Sequence, residues 1–307
     1  MPPTRRRFVL HTALMFAAPV LAPFTAAAQL SGNTRELRRG VGLFAGPGGT
    51  IGWLAARDGA LLVDSQFPAT AAACLAGLRQ RTPARIEALI NTHHHGDHTA
   101  GNVTLRPTVR QIVQHERCAV AHRTLAQAQG GDALRGLADV TFADAWSTTI
   151  GDERVSATHF GAAHTGGDAL VFFERANVVH AGDLVFNRIP PFIDRASGGS
   201  IVNWVIVLER VAKRHADALF VFGHGKDDRL TGTVKEVTHF RDYLTAALDH
   251  ARKGLAAGRS QTEIAAVSSL PGFEDHADMV KNYASPIPLF TLNHVLTVAC
   301  QELLTGR

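Results

Sequence analysis

The chain has 307 residues, 46% of them hydrophobic and 19% charged, with a formal net charge of +4. That length suits one large domain, or one domain with an appendage, around a substantial core. Arg5, Arg6 and Arg7 supply three of the positive charges, so without residues 1–28 the formal charge falls to +1. A mature chain that close to neutral lacks the basic footprint of a nucleic-acid binder, and no nucleic-acid partner is expected.

The first 28 residues read as an export signal. Thr4-Arg5-Arg6-Arg7-Phe8-Val9-Leu10 sets a twin arginine before an Ala-rich apolar run that ends in Ala26-Ala27-Ala28. A charged start, an apolar middle and small residues at the cleavage point form a signal peptide, and the arginine pair suggests the twin-arginine route. The run is short of the ~20 apolar residues that span a bilayer. The expectation is a periplasmic or secreted protein, free of the membrane after cleavage. Cys74, Cys118 and Cys300 are odd in number, widely spaced and without a C-x-x-C pair, so they read as buried thiols.

Beyond the signal, residues 41–45, 51–56 and 60–64 are short apolar runs between glycine-rich turns and are expected to form consecutive antiparallel strands. A helix is expected over 70–80, a strand over 86–91 and a helix over 115–137. Strands follow at 155–160, 169–173 and 178–181, then a helix over 202–215 and a buried strand at 219–222. From residue 234 the pattern is helical, with Val237, Phe240, Leu244 and Leu248 at helical spacing and Ser260-x-x-Glu263 as a capping box. The predicted organisation is an α/β catalytic domain over residues 29–233 and a helical C-terminal segment over 234–307.

The chemistry concentrates in Thr92-His93-His94-His95-Gly96-Asp97-His98, directly after the strand at residue 86. A strand ending in a tight turn can aim His93 and His95 at one metal and Asp97 and His98 at a second. Imidazole and carboxylate suit zinc, and also iron. His164, Asp183 and His224 each follow a β run and are flanked by glycine, as ligands at converging strand ends would be. His94 falls between two ligands and is expected to pack or to support them. His180 reads as strand-face packing, and His159, His239 and His294 carry no assignment.

With these residues the sequence resembles the metallo-β-lactamase fold superfamily, and among its members the glyoxalase II-like metallohydrolases. H-x-H-x-D-H followed by His, Asp and His spans residues 93–224, and Asp64 matches an additional structural aspartate of that family. The resemblance implies a four-layer αβ/βα sandwich of two similar halves with the metals at one edge. By position, His93, His95 and His164 would hold metal one, Asp97, His98 and His224 metal two, and Asp183 would bridge them. The implied cofactor is two Zn(2+), although the ligand set also accepts iron or manganese.

Two cations ~3.5–4 Å apart lower the pKa of a bridging water and polarise a carbonyl. The expected function is hydrolysis of a carbonyl-type bond, a thioester, ester, lactone or amide, in a small-molecule substrate. Asp97 would orient the metal-bridging hydroxide and handle its proton. Alternatives are β-lactam hydrolysis, which an Asp rather than Cys or Ser at 183 disfavours, and a mononuclear iron persulfide dioxygenase. The stretch from Asn187 to Ser200 reads as a specificity loop in which Arg188 pairs with a substrate carboxylate and Phe192 forms an apolar wall. The Gly46-Pro47-Gly48-Gly49 turn, with Trp53, is expected to form a flap over the site.

Overall fold

A computed structural model describes residues 33–276, 278 and 290–306. The export signal read at residues 1–28 lies outside the described residues. Seven strands pair in sequence order in the first sheet: β1 (Thr34–Arg38), β2 (Val41–Phe44), β3 (Ile51–Ala55), β4 (Ala60–Val63), β5 (Ile86–Ile90), β6 (Ile112–His115) and β7 (Val140–Phe142). The second sheet has the order β15-β13-β11-β10-β9-β8, built from β8 (Ala145–Ile150), β9 (Glu153–Thr158), β10 (Leu170–Phe173), β11 (Val178–His180), β13 (Leu219–Val221) and β15 (Thr231–Gly232). A small parallel pair, β12 (Phe186–Asn187) and β14 (His224–Gly225), stands apart. Antiparallel hairpins open each sheet, and parallel neighbours follow, β4 to β7 in one and β11 with β13 in the other.

The period of two along each strand sets the layers. In β4, Leu61 and Val63 pack between the sheets with Val41, Leu43, Val155, Val171 and Val178. Ala60 and Leu62 point the other way, onto Cys74 and Leu78 of helix α1 (Pro68–Arg79). The second sheet repeats the scheme, with Val178 and Val221 inward and Val179 and Phe220 outward. That outer face is covered by Trp204 and Val207 of a helix spanning Ile201–Arg214, by Phe240 and Leu244 of Val234–Ala256, and by Val295 and Leu296 of Leu292–Thr305. Each such side chain stabilises the fold by ~1.5–3 kcal/mol when fully buried. The result is the α/β, four-layer αβ/βα sandwich expected from the resemblance.

Between β5 and β6 lie the short helices α2 (Gly96–Thr99) and α3 (Asn102–Leu105), and after β6 comes α4 (Glu116–Gln129). The helices of the second half are α5 (Ile201–Arg214), α6 (Val234–Ala256), α7 (Gln261–Ile264) and α8 (Leu292–Thr305). Capping boxes form at Thr233 with Glu236 and at Ser260 with Glu263, which fixes where α6 and α7 start.

Several expectations need correcting. The region expected to be helical over 115–137 opens on the last residue of β6 and breaks after Gln129 at Gly130, whose φ is +70°. The sequence reading also lacks β1, β6, β7 and β8 and the two-residue strands β12, β14 and β15. In β8 the run Ala145-Trp146-Ser147-Thr148-Thr149-Ile150 is polar because it is a sheet edge, with alternate residues exposed. The strand at 219–222 does not run on to His224, which belongs to β14 and pairs with β12. Trp53 forms no flap: it is buried on the outer face of the first sheet, with the Arg81 guanidinium 4.7 Å from its ring centre. All three cysteines are buried and free.

Candidate metal centre

The ligand-type side chains gather where strands of both sheets end. His93 follows β5, and the turn after it enters α2, which carries Asp97 and His98. His164 sits in the loop between β9 and β10, Asp183 just past β11, and His224 opens β14. The approach is tight enough to demand glycine at two points. A Cβ on Gly223 would lie 2.0 Å from Asp183 Oδ1, and one on Gly49 would lie 2.1 Å from the His98 ring. Both glycines therefore serve as close walls to a ligand. Gly49 also donates its N–H to the Asp97 carbonyl at 3.1 Å, so the 46–49 turn packs against the ligand loop.

The donor atoms fall into two sets. His95 Nδ1 lies 3.1 Å from His93 Nε2 and 3.0 Å from His164 Nε2. Asp97 Oδ2 lies 3.2 Å from His224 Nε2 and 3.8 Å from His98 Nε2. Asp183 stands at both: its Oδ2 is 3.8 Å from His93 Nε2, 3.5 Å from His164 Nε2 and 3.4 Å from His224 Nε2, while its Oδ1 is 3.1 Å from His98 Nε2. All seven residues read as ligands are thus brought together, and each set's donor atoms lie within 4.8 Å of one another.

The electrostatics divide the same way. Burial depresses His93 well below its ordinary value, and burial with the nearby His95 takes His164 down to about 3, so both imidazoles are neutral, the ligating form. Burial would also depress His224, but the Asp183 and Asp97 carboxylates outweigh it and lift it to about 9. Burial pushes Asp97 up, yet His98 and His224 bring it to about 2, and Asp183 is likewise held low by His224, His98 and His93.

These residues fit a pair of divalent cations. His164 gives its Nδ1 proton to the Phe192 carbonyl, so its Nε2 has none to offer His95 Nδ1, which it meets at 3.0 Å. His98 Nε2 and Asp183 Oδ1, both buried, face each other at 3.1 Å without making a hydrogen bond. A cation in each set would satisfy all of these atoms.

Supporting side chains fix the ligands from behind. Asp64, in the left-handed region at φ +61°, accepts from Thr92 N (2.8 Å) and Thr92 Oγ1 (2.7 Å), and His98 Nδ1 donates to it at 2.8 Å. His164 Nδ1 donates to the Phe192 carbonyl at 2.8 Å. Such bonds select the tautomer and hold the ring. His94 is buried with Nε2 3.4 Å from Asp194 Oδ2, outside both sets. His180 fills the space over Gly52 and donates to the Thr50 carbonyl at 3.0 Å.

Sequence reasoning missed Asp194. Its Oδ2 lies 3.1 Å from His95 Nε2, on the side of the ring away from the other ligands. Nothing local marks it, since it stands 99 residues from its partner. In the proposed specificity loop Phe192 does face the centre, its ring 5.6 Å from His95. Arg188 instead pairs within the protein, its Nε 3.1 Å from Asp275 Oδ2.

A sequence profile of the Metallo-beta-lactamase superfamily matches residues 46–224, more than half of the chain and all seven ligand positions. The chain belongs to that superfamily. As a metallo-beta-lactamase superfamily member it is a metal-dependent hydrolase whose His/Asp groups are able to bind metal ions. Among solved structures it resembles a metallo-beta-lactamase from Pontibacter korlensis, with a TM-score of 0.56 and 17% identity over 69% of this chain and 98% of that one. The DIM-1 metallo-beta-lactamase gives a TM-score of 0.55 and 15% identity over 70% of this chain and 97% of that one. At such identities the likeness is one of fold. Comparison with curated protein sequences finds no match.

Proposed function

We propose that this superfamily member is an exported dinuclear zinc hydrolase that cleaves a thioester, ester, lactone or amide in a small-molecule substrate. The observation that carries the reading is Asp183, whose two oxygens reach both donor sets, Oδ2 to His164 and His224 and Oδ1 to His98. His93, His95 and His164 would hold one ion and Asp97, His98 and His224 the other. Two bound cations would supply an activated water and polarise the scissile carbonyl.

The protein's own groups do the rest. Asp97, held near a pKa of about 2 despite burial, stays ionised at neutral pH and can accept a hydrogen bond from the attacking water, orienting it. Asp64 and the Phe192 carbonyl lock His98 and His164, so the site is organised before substrate arrives. Phe192 gives the substrate an apolar contact beside His95. The twin-arginine signal at residues 1–28 supports a periplasmic or secreted location, reached after folding and metal loading in the cytoplasm.

The test is turnover by the mature zinc-loaded protein of matched thioester, lactone and β-lactam substrates, with and without a chelator. Chelator-sensitive cleavage of a thioester or lactone supports the proposal and names the bond. Cleavage of the β-lactam alone replaces it with lactamase activity, and no turnover of any class overturns it.

A further inference from the structure

Among the described residues, one other cluster of ligand-type side chains lies away from the centre. His239 comes from the first turns of α6, and Asp275 and His276 from the segment after α7. Asp275 Oδ1 lies 3.2 Å from His276 Nδ1 and 3.9 Å from His239 Nε2. Ligands ~2.0–2.1 Å from one tetrahedral zinc are roughly 3.4 Å apart, so Asp275 Oδ1 is spaced from each imidazole much as a shared ion requires, and all three donors lie within 4.8 Å of one another. The two imidazole centroids are 5.2 Å apart, inside the 4.7–5.6 Å range of the His93–His95 and His98–His224 pairs in the main centre.

The surroundings build the site rather than scatter it. His276 is clamped by Tyr243, ring on ring at 4.1 Å and 2°, and edged by Phe273. Arg188 Nε takes the far oxygen of Asp275 at 3.1 Å, which turns Oδ1 toward the imidazoles, as outer partners do for carboxylate ligands. His239 Nε2, one of the three donor atoms, is buried with no hydrogen-bond partner, a cost that calls for an explanation. Asp275, Asp242 and Glu236 face His239, so carboxylates outnumber the one guanidinium there. Burial also brings His276 down to about 4, leaving it neutral.

We propose that His239 Nε2, Asp275 Oδ1 and His276 Nδ1 form a separate binding site for a zinc-type divalent cation, with water as the fourth ligand. Asp275 is about half exposed, which leaves the open position toward solvent. A bound ion would pin the segment after α7 to α6 and, through Arg188, to the loop after β12. The site is independent of the hydrolytic reading, since it shares no residue with the main centre.

The test counts metal on the untagged mature chain. Metal-free protein is loaded with Zn²⁺, passed through gel filtration and assayed for zinc per chain. Three proteins are compared: wild type, the single variant His239→Gln, and the centre variant His93→Ala/His98→Ala. The proposal expects His239→Gln to carry one equivalent fewer than wild type with hydrolysis retained, and the centre variant to keep one equivalent. His239 is partly exposed on a helix, so Gln there leaves the fold intact. Equal zinc content in wild type and His239→Gln, or a centre variant with none, overturns it. Asp275→Asn gives a second reading of the same loss without touching a ring.

Discussion

Asp194 Oδ2 sits 3.1 Å from His95 Nε2, while His95 Nδ1 faces His93 and His164, so one imidazole joins the donor set to a carboxylate in a loop 99 residues away. Burial pushes Asp194 up, but its bonds to His94 and His95 hold it far below the usual carboxylate range. It is ionised at any working pH and orients the ring permanently. Asp194→Asn is expected to weaken metal binding and lower kcat by about 10–100-fold with the fold retained. Competitive chelator titration and steady-state kinetics on the same preparation check this. An Asn variant with unchanged metal affinity would remove Asp194 from the centre.

Asp183 is the residue whose carboxylate reaches both donor sets. Asp183→Asn keeps the volume but removes the charge that links them. The expected outcome is weaker metal binding and a fall in turnover of about 10²-fold or more, as for an electrostatic group at the reaction centre. Metal analysis and far-UV circular dichroism together separate this from unfolding.

Gly223 offers a test of packing against the centre. An added Cβ 2.0 Å from Asp183 Oδ1 must displace either the strand end or the carboxylate. Overpacking of this kind costs about 1–3 kcal/mol. Gly223→Ala should therefore lower activity far more than it lowers the melting temperature. The two losses are read on one sample, and wild-type kinetics would contradict the geometry.

The C-terminal helix reaches the same loop through a buried carboxylate. Glu302, 3% exposed, accepts from Ile201 N (2.8 Å), Val202 N (3.2 Å), Ser200 Oγ (3.0 Å) and Arg195 Nη1 (2.9 Å), closing the start of α5 just beyond Asp194. Glu302→Ala removes the acceptor these donors share, leaves the buried Ile201 N–H without it and should cost about 1–3 kcal/mol. Glu302→Gln, which keeps the acceptor oxygen, should cost less. Denaturant melts of both variants give the comparison.

Asp168 supplies a pH dependence. Burial raises its carboxyl to about 7, against bonds from Thr165 N, Thr165 Oγ1 and Ala163 N that favour the ion. Its folded value lies above its unfolded value of 3.8. The stability it contributes is therefore full below pH 3.8 and is lost as pH rises to about 7. Asp168→Asn mimics the protonated form, so its melting temperature relative to wild type should climb as pH rises from 3.8 to about 7 and then level off. Parallel melts of the chelator-treated proteins across that range decide it, and a flat difference rejects the assignment.

The sequence by itself picked out the seven ligand-type residues that the structure brings together. His93, His95, Asp97 and His98 share one short turn, and His164, Asp183 and His224 each sit beside glycine after an apolar run, so local pattern places them at strand ends. Short apolar runs between turns likewise made β2 to β5 and β9 to β11 legible, because a buried strand is written in adjacent residues. Tertiary structure decided the rest. Edge strand β8 is polar because only one of its faces is covered, which no hydrophobic count detects. Asp194 beside His95, Glu302 beneath α5 and Arg188 against Asp275 are pairings across 99, 101 and 87 residues. Such contacts follow from how the two sheets and the C-terminal helices pack, and local spacing carries no record of that packing.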